Sequence, residues 1–206
     1  MRNPIHHRSP GRSTKAVLHV AGALLVATVL VSCGGDDTDD GAGDAAFNAA
    51  DVTFAQGMIP HHAQAIEMSA LVPERSTTPE VQALAEDIEA AQQPEIDLMS
   101  EMLEAWGEDV PAADGDDGHA GHGSEDGMAG MMSDDDMAAL EDSSGTEFDQ
   151  MWLTMMIDHH EGAITMSDVV LSDGADPDVA DLAEEIIEVQ QTEIDQMRDL
   201  LEKVSR

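Results

Sequence analysis

Residues 54–103 and 152–201 align at a constant offset of 98 without a gap, and 22 of the 50 paired positions are identical. Unrelated helical segments do not match at that level, so the chain carries a duplicated unit whose two copies must fold alike. The identities include Met58/Met156, Ile59/Ile157, His61/His159, His62/His160, Ala65/Ala163, Met68/Met166, Ile88/Ile186, Gln92/Gln190, Glu95/Glu193 and Met99/Met197.

Each copy reads as a helical hairpin. In the first helix Phe54, Met58, His61, Ala65, Met68 and Val72 recur at alternating spacings of four and three, and the second copy repeats them as Trp152, Met156, His159, Ala163, Met166 and Val170. That is an apolar stripe interrupted only by histidine. The second helices open with Thr78-Pro79 and Asp176-Pro177, a cap followed by proline at the first helical position. Tyrosine is absent, and no β-branched alternation competes. Two hairpins joined by a long connection predict an all-α four-helix bundle with pseudo-twofold symmetry and helices near 47–72, 79–106, 146–172 and 177–204. Pro60 and Pro94 fall inside the first copy's helices and are expected to kink them.

The segments outside the repeats differ sharply in composition. Residues 1–32 carry Arg2, Arg8, Arg12 and Lys15 with no acid, then an apolar run from Ala16 to Val31 that is short for a membrane span. The run ends in Leu30-Val31-Ser32-Cys33, similar to a bacterial lipobox, so residues 1–32 read as a lipoprotein signal peptide and Cys33 as the lipidated N-terminus. Cys33 is the only cysteine, which leaves no thiol for a disulfide or a thiolate metal site. Residues 33–46 read as a flexible acidic tether, and 47–206 as the duplicated domain. Within it, repeat one spans about 47–106, an acidic His/Met-rich connector about 107–146, and repeat two about 147–206. Ser133 and the aspartates after it are placed to cap a short helix in the connector. The expected location is the cell envelope, lipid-anchored on the outer face of the cytoplasmic membrane or in the periplasm.

All 44 acidic residues follow residue 32, against the bases Arg75, Arg198, Lys203 and Arg206. Such a field repels nucleic acid and concentrates cations at the surface. Nucleic-acid binding is therefore excluded, while protein partners are not specified.

His61 and His159 replace the leucine expected mid-stripe, and His62 and His160 lie one residue round. Four imidazoles on inward faces need partners, and a neutral imidazole is a common metal ligand. Met58, Met68, Met156 and Met166 share the stripe as soft donors, although methionine also fills helical cores well. Gln92, Glu95, Gln190 and Glu193 on the second helices are placed to hydrogen-bond the histidines. His119, His122, Met128, Met131 and Met132 in the connector form an auxiliary metal-collecting segment or a low-complexity linker. Mixed imidazole and thioether donors suit copper as Cu(I), and imidazole alone also suits Cu(II), whereas thioethers are poor partners for magnesium, calcium and manganese and modest ones for zinc. Affinity is then expected to fall as pH drops through about 6.5. The rival reading is an extracytoplasmic scaffold or interaction domain with structural histidines. No Glu-x-x-His spacing of the di-iron bundles occurs, which argues against a metal-dependent oxidase and for a protein without turnover.

The two segments Met58-Ile59-Pro60-His61-His62-Ala63-Gln64-Ala65-Ile66-Glu67-Met68 and Met156-Ile157-Asp158-His159-His160-Glu161-Gly162-Ala163-Ile164-Thr165-Met166, with Gly145-Thr146-Glu147-Phe148-Asp149 before the second, resemble domain-of-unknown-function family 305. The resemblance covers about residues 47–203. It implies a ferritin-like four-helix bundle, commonly exported, with copper binding in some members.

Overall fold

A computed structural model describes residues 46–112 and 128–206. They form five helices: α1 (Ala49–Arg75), α2 (Pro79–Trp106), α3 (Asp134–Asp142), α4 (Thr146–Asp173) and α5 (Pro177–Val204). The four long helices start and stop within three residues of the positions read from periodicity, and no strand occurs among the described residues. The signal segment, Cys33, all but the last residue of the tether, and His119 and His122 lie outside the described residues. No helix among the described residues is long and apolar enough to cross a membrane.

The prolines do not end the helices. α1 continues through Pro60 and Pro73, and α2 through Pro94. Pro73 and Pro94 sit on exposed faces, so their ring contacts and lost hydrogen bonds fall on the side where water can serve the freed groups.

α1 packs along α2, and α4 along α5; the two hairpins meet through α1 and α4, while α2 and α5 barely touch. The result is an all-α four-helix bundle built from two equivalent hairpins. Each hairpin's turn is tied to the other hairpin by a buried aspartate. Asp51 closes the α1 capping box with Asn48 and also accepts the backbone N–H groups of Ala175 (3.0 Å) and Asp176 (3.2 Å). Its counterpart Asp149 accepts the Thr78 hydroxyl at 2.5 Å. Thr78 is the N-cap residue of α2, but its hydroxyl is spent on this link and makes no capping bond. Between the hairpins Trp152 donates its indole N–H to the Met68 carbonyl at 3.1 Å, so the largest buried side chain leaves no donor unpaired.

The interior is layered. Toward one end, Ala65, Met68 and Val72 of α1 pack with Leu84 and Ile88 of α2, Phe148, Trp152 and Met156 of α4, and Ile194 and Met197 of α5. Toward the other, Phe54, Met58 and Ile59 pack with Ile96, Met99 and Leu103, and with Ala163, Val179, Leu182 and Ile186. Every one of these side chains is buried, and each contributes on the order of 1.5–3 kcal/mol if large and apolar. On all four helices the residues between the two apolar clusters are polar and buried: His61 and His62, Gln92, His159 and His160, and Gln190 with Glu193.

The last part of the connector is not a loose linker. Residues 128–132 form a strap across α1 and α4, followed by α3, whose N-terminus is closed by a Ser133–Asp136 capping box. Leu140 of α3 is fully buried against the first apolar cluster, with Met132 and Met137 packed beside it.

Candidate metal centre

His61 and His159 face each other where α1 meets α4, with ring centroids 3.8 Å apart and planes tilted by 38°. The duplication explains the encounter. Equivalent positions on two helices related by pseudo-twofold symmetry must meet if they lie on the axis, and these two occupy the same stripe position in each copy. His62 and His160 turn away, each ring 6.3–6.5 Å from its neighbour's. Each reaches across its own hairpin to a carboxylate: His62 Nε2 to Glu95 at 2.6 Å, and His160 Nε2 to Glu193 at 2.8 Å. A carboxylate on one imidazole nitrogen fixes the ring and its tautomer, leaving Nδ1 to act as the acceptor or ligand.

The two inner histidines differ in their surroundings. The strap caps His61, whose Nε2 lies 3.1 Å from the Ala129 carbonyl oxygen and so donates to it. His159 has no partner for either ring nitrogen, and the Nδ1 atoms of His61, His62 and His160 are also without one. All four rings are fully buried. Burial disfavours the charged form, and together with the neighbouring His62 it pushes the His61 pKa from 6.5 down to about 3, against the opposing pull of the Ala129 carbonyl. Burial first, then His61 and the other histidines, hold His159 well below its ordinary value, against a weaker pull from the nearby His61 backbone carbonyl, which does not reach hydrogen-bond geometry. The inner pair is thus neutral at physiological pH and offers unshared lone pairs in a buried layer. That donor set suits a borderline-soft cation; it does not suit one that requires oxygen ligands.

The remaining expected site residues are placed differently from one another. Glu95 and Glu193 do hold histidines. Gln92 and Gln190 make no bond to any histidine; both amide atoms of Gln92 and the Oε1 of Gln190 are buried without partners. Met58, Met68 and Met156 are fully buried in the apolar clusters above and below the histidine layer, and Met166 packs at the edge of one of them. Burial in the apolar layers on either side of the imidazoles is compatible with core packing and with a thioether donor alike. In the connector, Met132 is held by Gln64 through two hydrogen bonds, 2.9 Å from the Gln64 amide to its carbonyl and 2.7 Å from its N–H to Gln64 Oε1. Met131 is half-buried and Met128 is exposed. Among the described residues no three His, Cys, Asp or Glu side chains converge as a ready-made metal cluster. The physical reason is the pairing of His62 and His160 with carboxylates, which leaves two imidazoles facing each other rather than four. A surface cleft lined by Phe54, Met166, Val169 and Val170 is apolar and includes no histidine.

The strap itself is built by residues that the repeat comparison passes over. A Cβ on Gly162 would overlap the Ala129 carbonyl, and one on Gly130 would lie 2.6 Å from the Asp158 carbonyl oxygen. Gly130 also has φ +80°, open to glycine at no steric cost. Gly162 is the counterpart of Gln64, so the two equivalent positions both serve the strap, one by hydrogen bonds and one by absence of a side chain.

Comparison with known proteins shows the family of the chain. The profile of the family described as Domain of unknown function (DUF305) matches residues 51–201. The chain belongs to the DUF305 family. A DUF305 protein of Streptomyces coelicolor, described as secreted, is 32% identical, with a TM-score of 0.66 over 76% of this chain and 94% of that one. A DUF305 fragment from Deinococcus radiodurans is also 32% identical, with a TM-score of 0.65 over 76% and 97% of the two chains. CopM in a Cu(II)-bound form is 30% identical, with a TM-score of 0.62 over 74% of this chain and 96% of CopM. Structures of CopM also exist in Cu(I)-bound and silver-bound forms. An uncharacterized protein of Acanthamoeba polyphaga mimivirus is 43% identical over 54 residues, and this DUF305 chain spans about a third (36%) of its length.

Proposed function

We propose that this DUF305 protein is an exported, lipid-anchored protein that binds and sequesters copper in the histidine layer of its bundle, without turnover. The observation that carries the reading is the facing pair His61 and His159: neutral, fully buried imidazoles, one of them with both nitrogens unpartnered. Leaving such groups unpaired is costly in an apo-protein, and a bound cation offsets that cost. His61 and His159 would hold the metal from opposite repeats, and Glu95 and Glu193 would hold His62 and His160 beside it. Met58 and Met156, one turn before each inner histidine, are the soft donors nearest in sequence. Imidazole suits both copper oxidation states, and added thioether favours Cu(I). The metal-bound forms of CopM support the choice of copper.

A scaffold role with structural histidines is the second reading. The carboxylate partners of His62 and His160 and the carbonyl cap on His61 favour it. Metal analysis of protein from copper-supplemented cells separates the two readings. The wild type is expected to carry copper, and a variant with His61, His62, His159 and His160 all replaced by alanine is expected to carry none. Equal metal content would favour the scaffold. The basic leader, apolar run and Cys33 support export and lipidation. Cys33→Ala should abolish a lipid mass that the wild type carries and release the protein from membranes; a wild type without lipid mass would overturn this part.

A further inference from the structure

Away from the histidine layer, the strap and α4 bring two methionine side chains over one face of α1. On α1 the face of Gly57 is covered by two methionines. A Cβ placed there would lie 3.1 Å from Met166 Cε and 3.7 Å from Met128 Sδ. Met128 comes from the strap and is 40% exposed; Met166 comes from α4 and is half-buried. Glycine in mid-helix costs about 1 kcal/mol relative to alanine, and the duplication does not ask for it, since the counterpart of Gly57 is Met155. A side chain there would crowd the Met166 methyl group.

Met128 is also held in register. The next residue, Ala129, gives its carbonyl to His61, Gly130 and Gly162 press the strap onto α4, and Gln64 grips Met132 at both backbone groups. An exposed thioether is thereby placed over the same helix face as Met166, one residue from the cap of a buried imidazole.

We propose that Met128 and Met166 form a surface site for a soft monovalent cation, the point at which copper as Cu(I) enters on its way to His61 and His159. Thioether sulfur selects soft ions against the magnesium and calcium that the acidic surface also attracts. The carbonyl of Ala129 gives up His61 Nε2 when the strap shifts, so occupancy at the sulfurs and access to the imidazole are linked through one short segment. This proposal rests on the histidine layer being a copper site.

Silver(I), soft and redox-inert, is the probe. The full chain carrying methyl-labelled methionine and labelled histidine is titrated with silver nitrate and followed by NMR. The Met128 and Met166 methyl signals are expected to shift together, at or before the silver level that moves the His61 and His159 imidazoles. Met128→Leu with Met166→Leu keeps side-chain volume close to the original and should bind one silver ion fewer per chain, with an unchanged helical melting curve as the folding control. Movement of the imidazoles with both methyls static overturns the entry site and leaves the histidine reading standing. Movement of the two methyls with the imidazoles static supports the sulfur site and refutes the histidine reading. Should the double variant fail to fold, the wild-type methyl shifts decide alone.

Discussion

Acid should unfold the metal-free protein through its inner histidine pair, and the size of the effect follows from the burial of the rings. His61 has a pKa of about 3 when folded, against 6.5 in an open chain. His159 moves in the same direction. Between those limits the unfolded state binds a proton that the folded state refuses, so stability is complete above pH 6.5 and falls as pH drops from there toward 3. Going from pH 7 to pH 5 costs about 2 kcal/mol for one such histidine, and about 4 kcal/mol for two that both stay neutral in the fold. That is a large part of the 5–15 kcal/mol that holds a typical domain. For His61 the figure depends only on the open-chain value, because a folded pKa of about 3 leaves that ring uncharged at pH 5; His159, shifted in the same direction, adds to it. The test is urea denaturation in the presence of a strong chelator, followed by helical circular dichroism at both pH values. A His61→Leu/His159→Leu variant provides the reference, because every other titrating group is shared. The wild type should lose at least about 2 kcal/mol more than the variant over this range, the share of His61 alone, with His159 adding to it. Equal losses would mean that the inner histidines are solvated or charged in the folded state, and the buried neutral pair would be refuted.

The same shift revises the pH dependence expected from sequence. Because the proton competing for His61 is displaced to about pH 3, copper affinity measured by chelator competition should stay flat between pH 7 and pH 5; a tenfold fall per pH unit through 6.5 would contradict the neutral pair. Gly162→Ala drives a Cβ into the Ala129 carbonyl. It should cost about 1–3 kcal/mol and remove hydrogen-exchange protection from the Met132 amide, whereas protection at wild-type level would show that the strap is not held there. Asp51→Ala leaves the α1 cap and the N–H groups of Ala175 and Asp176 without their acceptor. A loss of about 2–3 kcal/mol in urea denaturation is expected, and a change below half a kcal/mol would remove the proposed tie between the hairpins.

The duplication made the helices legible, since a stripe seen twice at one offset is hard to produce by chance. It also pointed to the histidine layer, where His61 and His159, at equivalent positions of the two copies, face each other. The carboxylate partners followed as well, because Glu95 lies 33 residues after His62 and Glu193 lies 33 after His160. What symmetry could not deliver is whatever breaks it. Gln64 and Gly162 are a mismatched pair, yet both exist to seat the strap, and glycine in an acidic low-complexity stretch gives no sign that Gly130 is pressed against α4. Methionine is equally silent, because a core filler and a ligand have the same spacing; Met68 and Met166 are equivalent in sequence, but only Met166 reaches the rim. The buried aspartates were readable and lay just beyond the aligned window: Asp51 and Asp149 keep the offset of 98.

Copper is proposed to sit between the repeats on His61 and His159. Copper-edge X-ray absorption on the chain loaded with one equivalent of Cu(I), beside the His61→Leu/His159→Leu variant, tests it most directly. Imidazole scattering in the wild type, and a variant that fails to retain the metal, are the predicted results. A copper environment without imidazole, or one unchanged in the variant, would contradict the account.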